Sequence, residues 1–146
     1  MKTTKFPKKS KLKSIKSLKK RALKWLSIYI RTRDCSDTTG TLDFGKCFTC
    51  GKPCDFKNLQ AGHFVQGRLH AVLFDERNVH AQCYRCNVPL KGNLIEYYPR
   101  MLKKYGKKVI EELKEKNRGT RKFKRWEYEG LIEKFKSLTK EYGRNI

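Results

Sequence analysis

The chain has 146 residues, 34% of them charged, and a formal net charge of +22. This length corresponds to one domain, and no stretch is apolar for long enough to form a transmembrane helix or a signal peptide. We therefore expect no membrane association and a place in the cytoplasm, where cysteines stay reduced.

The positive charge is carried by the two ends of the chain. Residues 1–33 contain thirteen lysines and arginines and no acid, residues 34–90 contain six of each sign, and residues 91–146 contain seventeen basic and eight acidic residues. Each phosphate neutralised by Lys or Arg releases a condensed counterion, so this pattern favours a nucleic acid partner. An anionic membrane surface or an organelle-addressing run would account for the N-terminal lysines but not for the cysteine-rich centre.

The N-terminal part is predicted to hold an arm and a helix. Residues 1–13 are lysine-rich and contain Pro7, which indicates a flexible basic arm. Apolar residues then recur every three or four positions over 14–33, as in an amphipathic helix with lysines on its opposite face. Glycines and short polar residues over 36–46 predict a loop. The helix residues expected to contact DNA are Lys19, Lys20 and Arg21.

The centre contains two Cys-x-x-Cys pairs, Cys47/Cys50 and Cys83/Cys86. Each two-residue gap lets a turn present both sulfurs to one ion, so the four thiolates can form a tetrahedral structural zinc site. A thioredoxin-like redox motif would have one pair beside a βαβ pattern instead. Cys54 lies four residues after Cys50 and is a weaker candidate for a ligand.

The remaining elements are short strands followed by helices. Residues 59–65 and 78–81 are candidate strands separated by a loop over 66–77, and a helix is expected to begin after Cys83. Helical spacing predicts three further helices, over 94–104, 109–116 and 126–142. The predicted organisation is an arm over 1–13, a helix over 14–33, a zinc-bound core over 34–104 and a basic helical tail over 105–146.

Three polar side chains belong to this hairpin and helix, namely His63, Asn78 and Asn87. A neutral histidine can take a proton from water near pH 7. An asparagine carbonyl is an oxygen ligand suited to Mg²⁺, and a second asparagine can fix a loop or orient the histidine. A base beside a divalent metal is what in-line attack of water on a phosphodiester requires.

The order Gly62-His63, then Asn78, then CYRCN from Cys83 to Asn87 resembles the HNH nuclease family, which is built on a ββα-metal core. The resemblance implies that His63 is the general base, Asn87 a ligand of a catalytic Mg²⁺ or Mn²⁺, and Asn78 the residue that fixes the loop. The expected fold class is therefore α+β, with a small ββα-metal (HNH-like) core and four-cysteine zinc knuckles between N- and C-terminal basic amphipathic helices.

A longer resemblance covers some 60 residues, about 47–106. The run AGHF…LFDERNVHAQCYRCN…LKGNLIEYYPRMLKKYG is similar to the NinG (Rap) recombination proteins of bacteriophages. This resemblance implies a phage recombination endonuclease that acts on branched DNA, such as Holliday junctions or displaced-strand joints, in the host cytoplasm. Possible partners besides DNA are a second copy of the chain and recombination proteins.

One position departs from the HNH pattern. Many members have an acidic or histidine metal ligand directly before the general base, where this chain has Gly62. Asp75, Glu76 and His80 are candidates to complete the catalytic metal site. His80 lies two residues after Asn78, and in an extended strand both would point the same way, so His80 is assigned here as a catalytic and metal-binding residue.

Several residues near the site have expected supporting roles. Arg77, Arg85 and Lys91 are expected to bind DNA. Tyr97 and Tyr98 are weaker candidates to stack on unpaired bases at a branch. The residues expected to pack in the core are Trp25, Tyr29, Trp126 and Phe135, and Cys35 is expected to be an ordinary partly buried thiol.

Two other functions remain open from the sequence. A non-catalytic zinc-bound protein that binds or anneals nucleic acid explains the charge and the cysteines equally well, but it does not need His63 or Asn87. An RNA-directed nuclease would use the same base and metal.

Overall fold

The computed structural model describes residues 11–66 and 70–145, so most of the predicted arm over 1–13 lies outside the described residues. Within these residues the fold has four α-helices and four short strands, which is the α+β class predicted. In chain order they are α1 (Ile15–Thr39), β1 (Phe44–Lys46), β2 (Pro53–Asp55), β3 (Leu59–His63), β4 (Val79–Cys83), α2 (Tyr84–Asn87), α3 (Leu94–Lys116) and α4 (Arg125–Glu141).

Helix α1 extends six residues beyond its predicted end at 33. It begins after Ser14, whose hydroxyl accepts from the Ser17 amide, and it ends where Gly40 takes a left-handed conformation at φ +72°. The last turn is held by β1, because the Thr38 hydroxyl accepts from the Lys46 amide at 3.1 Å and the Thr39 hydroxyl donates to the Phe44 carbonyl at 2.8 Å. The predicted loop over 36–46 was therefore wrong at both of its ends.

Two antiparallel hairpins form the β structure of the described residues. β1 pairs with β2, and β3 pairs with β4 from Leu59 opposite Cys83 to His63 opposite Val79. The second strand of that hairpin begins one residue later than predicted, because Asn78 ends a 3-10 turn. α2 follows β4 without a break, so hairpin and helix occur in the order strand, strand, helix.

The larger hydrophobic clusters lie on the long helices. The first core joins α1 and α4 to the β3–β4 hairpin through residues such as Leu26, Ile30, Val79 and Phe135. The second core packs α3 against the loop after β3, and it contains Phe64, Val72, Tyr97, Met101 and Ile110. The basic tail therefore packs on the rest of the chain, since α4 lies against α1.

The predicted helices of the C-terminal zone are present, but they differ from the prediction in how two of them join and in which aromatic residues are buried. The two expected over 94–104 and 109–116 form one element that is broken at Gly106, where φ is +81°. Tyr29 and Phe135 stack in the core as predicted, with ring centroids 5.7 Å apart. Trp126 is 67% exposed, so its prediction as a core residue was wrong.

Candidate functional site

The fold brings the four predicted zinc ligands together. The sulfurs of Cys47, Cys50, Cys83 and Cys86 all lie within 4.8 Å of one another. A tetrahedral zinc ion bound at about 2.3 Å holds its sulfurs about 3.8 Å apart, and the Cys50 and Cys83 sulfurs are 3.8 Å apart. This group, called the cysteine quartet below, could hold a metal such as zinc.

Local structure explains why the quartet forms. Gly51 takes a left-handed conformation at φ +76°, which lets the chain turn back so that the Cys47 amide donates to the Lys52 carbonyl at 2.9 Å. Although burial raises the pKa of the Cys47 thiol, hydrogen bonds from the Thr49 hydroxyl and from nearby backbone amides lower that pKa to about 6. A metal-binding thiolate is thus favoured at this position.

The other two cysteines lie outside the quartet. Cys54 is partly buried, and its thiol lies 3.6 Å from the Lys52 carbonyl oxygen. Cys35 is fully buried beneath Gly45, where a Cβ would lie 2.9 Å from the Cys35 sulfur. Cys35 is therefore more deeply buried than expected, and a side chain at position 45 would collide with it.

His63 and Asn87 line the same pocket, which has a volume of about 700 Å³ and also contains Leu73 and Lys91. The His63 Nε2 lies 2.9 Å from the Leu73 carbonyl oxygen, which can only accept a hydrogen bond. Nε2 therefore carries the proton, and Nδ1 keeps a free lone pair. Burial lowers the pKa of His63, against the opposing effect of the Leu73 hydrogen bond, so the ring is neutral near pH 7.

The side chain of Asn87 is oriented by Gln60. The Asn87 Nδ2 donates to the Gln60 Oε1 at 2.8 Å, which leaves the Asn87 carbonyl oxygen available to a ligand. Sequence reasoning missed Gln60, because nothing in the pattern links two residues that are 27 positions apart.

Asn78 lies behind the pocket and bonds both ends of the loop between β3 and β4. Its side chain is fully buried, donates to the Val65 and Val72 carbonyls at 3.0 and 3.2 Å, and accepts from the Val65 amide at 2.7 Å. These three bonds hold the backbone that leads away from His63. Asn78 thus contacts the loop and does not line the pocket.

The structure does not bring His80 to this pocket. Its ring is fully buried, with Nδ1 3.2 Å from Asp34 and Nε2 2.9 Å from the Tyr105 hydroxyl. Both nitrogens are therefore engaged, which leaves none to bind a catalytic metal. The expected alignment with Asn78 was wrong because Asn78 belongs to a turn and only His80 to the strand.

The other two candidates for completing the metal site are held in ion pairs. Asp75 contacts Arg77 and Lys116, each at 3.0 Å, and Glu76 contacts Lys134 at 2.6 Å. None of the described residues that line the pocket of His63 and Asn87 is acidic. In the described part of the chain, the cysteine quartet is the one cluster of three or more His, Cys, Asp or Glu side chains able to hold a metal.

Packing accounts for the absence of a side chain at position 62. A Cβ on Gly62 would lie 1.8 Å from the Gln82 Oε1, and the Gly62 carbonyl accepts from the Tyr97 hydroxyl at 2.8 Å. Gln82 itself is buried and donates to the Gly92 carbonyl at 2.9 Å. A ligand residue at position 62 would therefore require the Gln82 side chain to move.

The predicted DNA-contacting residues are in different environments. Lys91 lines the pocket of His63, and Arg85 is exposed beside the quartet. The Arg77 guanidinium instead bonds Asp75 and Glu112. The three residues on α1 differ in exposure: Lys20 is exposed, and Lys19 and Arg21 are partly buried.

Tyr97 and Tyr98 also differ from each other. Tyr97 is fully buried, so the prediction that it stacks on bases was wrong, whereas Tyr98 is 39% exposed.

These features define a class of protein, namely a mixed α+β chain with a four-cysteine cluster beside a hairpin and a short helix. A model of the family described as NinG, "Bacteriophage Lambda NinG protein", matches residues 2–145. The chain belongs to this NinG family, so the resemblance to the NinG proteins is confirmed, and the resemblance to HNH nucleases stays a prediction.

Curated relatives carry the same family name. "Protein ninG" of Escherichia phage lambda is 30% identical over 101 residues, which cover 68% of this chain and 45% of the relative. The protein of that name from Salmonella phage P22 is 29% identical over 101 residues, with the same coverage of 68% and 45%, and that of Escherichia phage 933W is 32% identical over 68 residues, covering 46% and 33%. The chain thus spans less than half the length of these relatives.

No solved structure matches the chain significantly. In the described residues, no helix combines the length and the apolar character needed to cross a bilayer.

Proposed function

We propose that this protein is a metal-dependent DNA endonuclease of the HNH type that hydrolyses phosphodiester bonds. The observation that supports it is the pairing of His63 and Asn87 in one pocket, where neither the His63 Nδ1 nor the Asn87 carbonyl oxygen has a hydrogen-bond partner among the residues that the structure describes. The strand, strand, helix order with a cysteine quartet at its base is the arrangement expected of a ββα-metal core.

In the proposed reaction, the residues of the pocket divide the work. His63 takes a proton from a water molecule through Nδ1, and this water attacks the phosphorus in line with the leaving oxygen. Asn87 would hold Mg²⁺ or Mn²⁺. When bound, this cation would offset the negative charge on the phosphate and on the leaving oxygen. Lys91 lines the same pocket and would pair with a neighbouring phosphate.

Zinc in the quartet would do no chemistry and would instead fix the position of Asn87. Cys86 is the residue before Asn87 in α2, and its sulfur also accepts from the Asn93 side chain at 3.4 Å. Because α2 has only four residues, it depends on the quartet for its orientation.

The proposed substrate is branched DNA, such as a Holliday junction or a displaced-strand joint, in the cytoplasm of the host cell. This part of the proposal rests on membership of the NinG family together with the resemblance described above. A second copy of the chain would suit symmetric cutting of a four-way junction. Recombination proteins are proposed as further partners.

The deciding experiment is cleavage of a labelled four-way junction and a matched linear duplex with Mg²⁺, Mn²⁺ or EDTA. Wild type should cut the junction only with metal, and His63→Ala should lose roughly 10²- to 10⁴-fold in rate, as expected for removal of a general base. Junction binding and zinc content should be unchanged in the variant, which excludes misfolding as the cause.

Three results would change the proposal. Equal cutting of both substrates would leave the chemistry intact and remove the selectivity for branches. Tight binding without cutting under any metal would favour the alternative, a non-catalytic zinc-bound protein that binds or anneals nucleic acid. Cutting of a matched RNA at a higher rate would move the activity to RNA.

A further inference from the structure

Three depressions at the proposed site are neighbours, because each shares lining residues with the next. The pocket of His63 and Asn87 shares both residues with a second depression, which is also lined by Gln60. Gln60 in turn lines a third depression, a groove of about 720 Å³ beside the cysteine quartet. This third depression is called the knuckle groove, and its lining residues include Phe44, Lys52, Lys57, Gln60, Tyr84 and Arg85.

The knuckle groove has unpaired positive charge. Lys52, Lys57 and Arg85 make no ion pair and no side-chain hydrogen bond with other residues that the structure describes. Among its described lining residues the groove contains one acid, Asp55. Arg77 shows the contrast, because its charge is already neutralised by two carboxylates. Free cations in a concave surface are the arrangement that attracts a phosphate backbone.

Two exposed aromatic rings also line the knuckle groove. Tyr84 is 60% exposed and Phe44 is 42% exposed. Tyr84 lies between the quartet residues Cys83 and Cys86, so the quartet fixes its backbone while its ring faces outward. Exposed rings among free cations suit unpaired bases, which can stack on a side chain, whereas the bases of a duplex are already stacked on each other.

We infer that the knuckle groove binds an unpaired DNA strand that leads away from the bond being cut. Tyr84 and Phe44 stack on its bases, and Lys52, Lys57 and Arg85 contact its phosphates. This inference rests on the proposed function only where it relates the bound strand to the bond being cut, because strand binding can be measured without any cutting. It also supplies a physical reason for a preference for branched DNA, because a branch provides an unpaired strand and a linear duplex does not.

The test measures binding of a labelled oligothymidylate and of a linear duplex of equal length, in a His63→Ala background that prevents cutting. Tyr84→Ala and Phe44→Ala should each weaken binding of the single strand roughly tenfold and leave duplex binding unchanged. Tyr84→Phe keeps the ring and should keep the affinity. Zinc content should equal that of the parent in every variant.

Trp126→Ala is the matched control. Trp126 is also an exposed ring in a basic depression, but the cations beside it, Arg121 and Lys134, are paired with Glu127 and Glu76. Its replacement should leave single-strand binding unchanged.

Each other result has a defined meaning. Equal losses for single strand and duplex would overturn the inference and assign the groove to duplex phosphates. The inference would also be overturned if Tyr84→Ala and Phe44→Ala both kept the single-strand affinity of the parent. If these variants lose single-strand binding but the wild type cuts no DNA, the groove stands and the proposed function fails. If cutting is observed and binding is unaltered, the groove alone fails.

Discussion

The proposed chemistry depends on which ring nitrogen of His63 carries a proton. The Leu73 carbonyl accepts a hydrogen bond at 2.9 Å from Nε2, and no side chain is needed to set this tautomer. Residue 73 lies in the loop that Asn78 holds at Val65 and Val72. The state of the base therefore depends on backbone atoms, which a search for polar motifs in the sequence does not reveal.

We predict from this environment that cleavage stays fast in mild acid. Burial lowers the pKa of His63 below its ordinary value of 6.5, so the ring remains neutral and able to accept a proton as the pH falls through 6.5. The cleavage rate should be flat from about pH 8 to below pH 6.5, and it should then fall about tenfold per pH unit below the lowered pKa. Single-turnover rates at constant metal and ionic strength measure this profile. A rate that already declines between about pH 8 and pH 7 would contradict it.

Gln60 is predicted to act as a positioning residue for Asn87. Gln60→Ala removes the acceptor at 2.8 Å that holds the Asn87 amide, so the carbonyl oxygen would lose the orientation that the proposed metal binding requires. Loss of such a supporting contact lowers metal affinity or rate by about 10- to 100-fold. The Mg²⁺ concentration needed for half-maximal cutting measures the effect, and junction binding should be retained.

Two further variants test whether this effect is specific. Gln60→Glu keeps an oxygen that can accept from Asn87 and should restore much of the activity. Gln66→Ala removes a glutamine that bonds the Lys91 carbonyl at 2.8 Å instead of the Asn87 side chain, and it should leave the Mg²⁺ concentration for half-maximal cutting unchanged. Wild-type metal dependence in Gln60→Ala would show that Asn87 does not need this contact.

At the level of elements, sequence periodicity predicted the helices and cysteine spacing predicted the quartet. Both signals are local, because a helix repeats about every 3.6 residues and a Cys-x-x-Cys turn closes within about four residues. The strands over 59–65 and 78–81 were located to within two residues of β3 and β4. The hairpin of β1 and β2 was missed, since each strand has three residues and β1 forms against the end of α1.

The errors arose where distant parts of the chain decide the outcome. His80 lies two residues after Asn78 in the sequence, but α1 supplies Asp34 and α3 supplies Tyr105 as its partners. Trp126 fits a helical apolar pattern, yet α1 meets the adjacent face of α4 and leaves this ring exposed. Neither partner surface can be predicted from local spacing, because both depend on how the helices pack.

The quartet leads to a prediction that separates Cys50 from Cys54. Cys50→Ser removes one of four close sulfurs and should weaken zinc binding by more than about a hundredfold, with a lower melting temperature. Cys54→Ser should keep one zinc per chain, because Cys54 lies outside the quartet. Zinc content after dialysis and thermal unfolding with and without EDTA measure both effects. Loss of zinc in Cys54→Ser, together with retention of zinc in Cys50→Ser, would mean that Cys54 and not Cys50 is the fourth ligand.

In the whole molecule, a buried polar network connects the two hydrophobic cores. Asp34 on α1 accepts from the Ala81 amide at 2.7 Å, from Arg33 at 2.7 Å and from His80 at 3.2 Å. His80 reaches α3 through the Tyr105 hydroxyl at 2.9 Å. One carboxylate thus links α1 to the central hairpin, and through the histidine to the helix over the second core.

We predict that Asp34→Ala destabilises the fold by about 3 kcal/mol at pH 7, because it leaves the largely buried Arg33 guanidinium, whose side chain is 11% exposed, without its counter-charge. Burial raises the pKa of Asp34, but hydrogen bonds and charge from His80 and Arg33 outweigh this and hold the pKa well below its usual range. Stability from this carboxylate is therefore complete above pH 3.8 and is lost as the pH falls towards the lowered value.

His80 changes stability in the same direction at higher pH. Burial lowers the pKa of His80, so below pH 6.5 the unfolded chain binds a proton that the folded ring does not bind. The free energy of unfolding therefore decreases as the pH decreases. Urea unfolding of zinc-loaded protein between about pH 7 and pH 4 should show this decline in wild type, and Asp34→Ala should lower the whole curve. Asp37→Ala removes an exposed acid from the same helix and should change stability by less than about 0.5 kcal/mol. Equal effects of the two substitutions would mean that Arg33 keeps its charge solvated without Asp34, and that the network does not stabilise the fold.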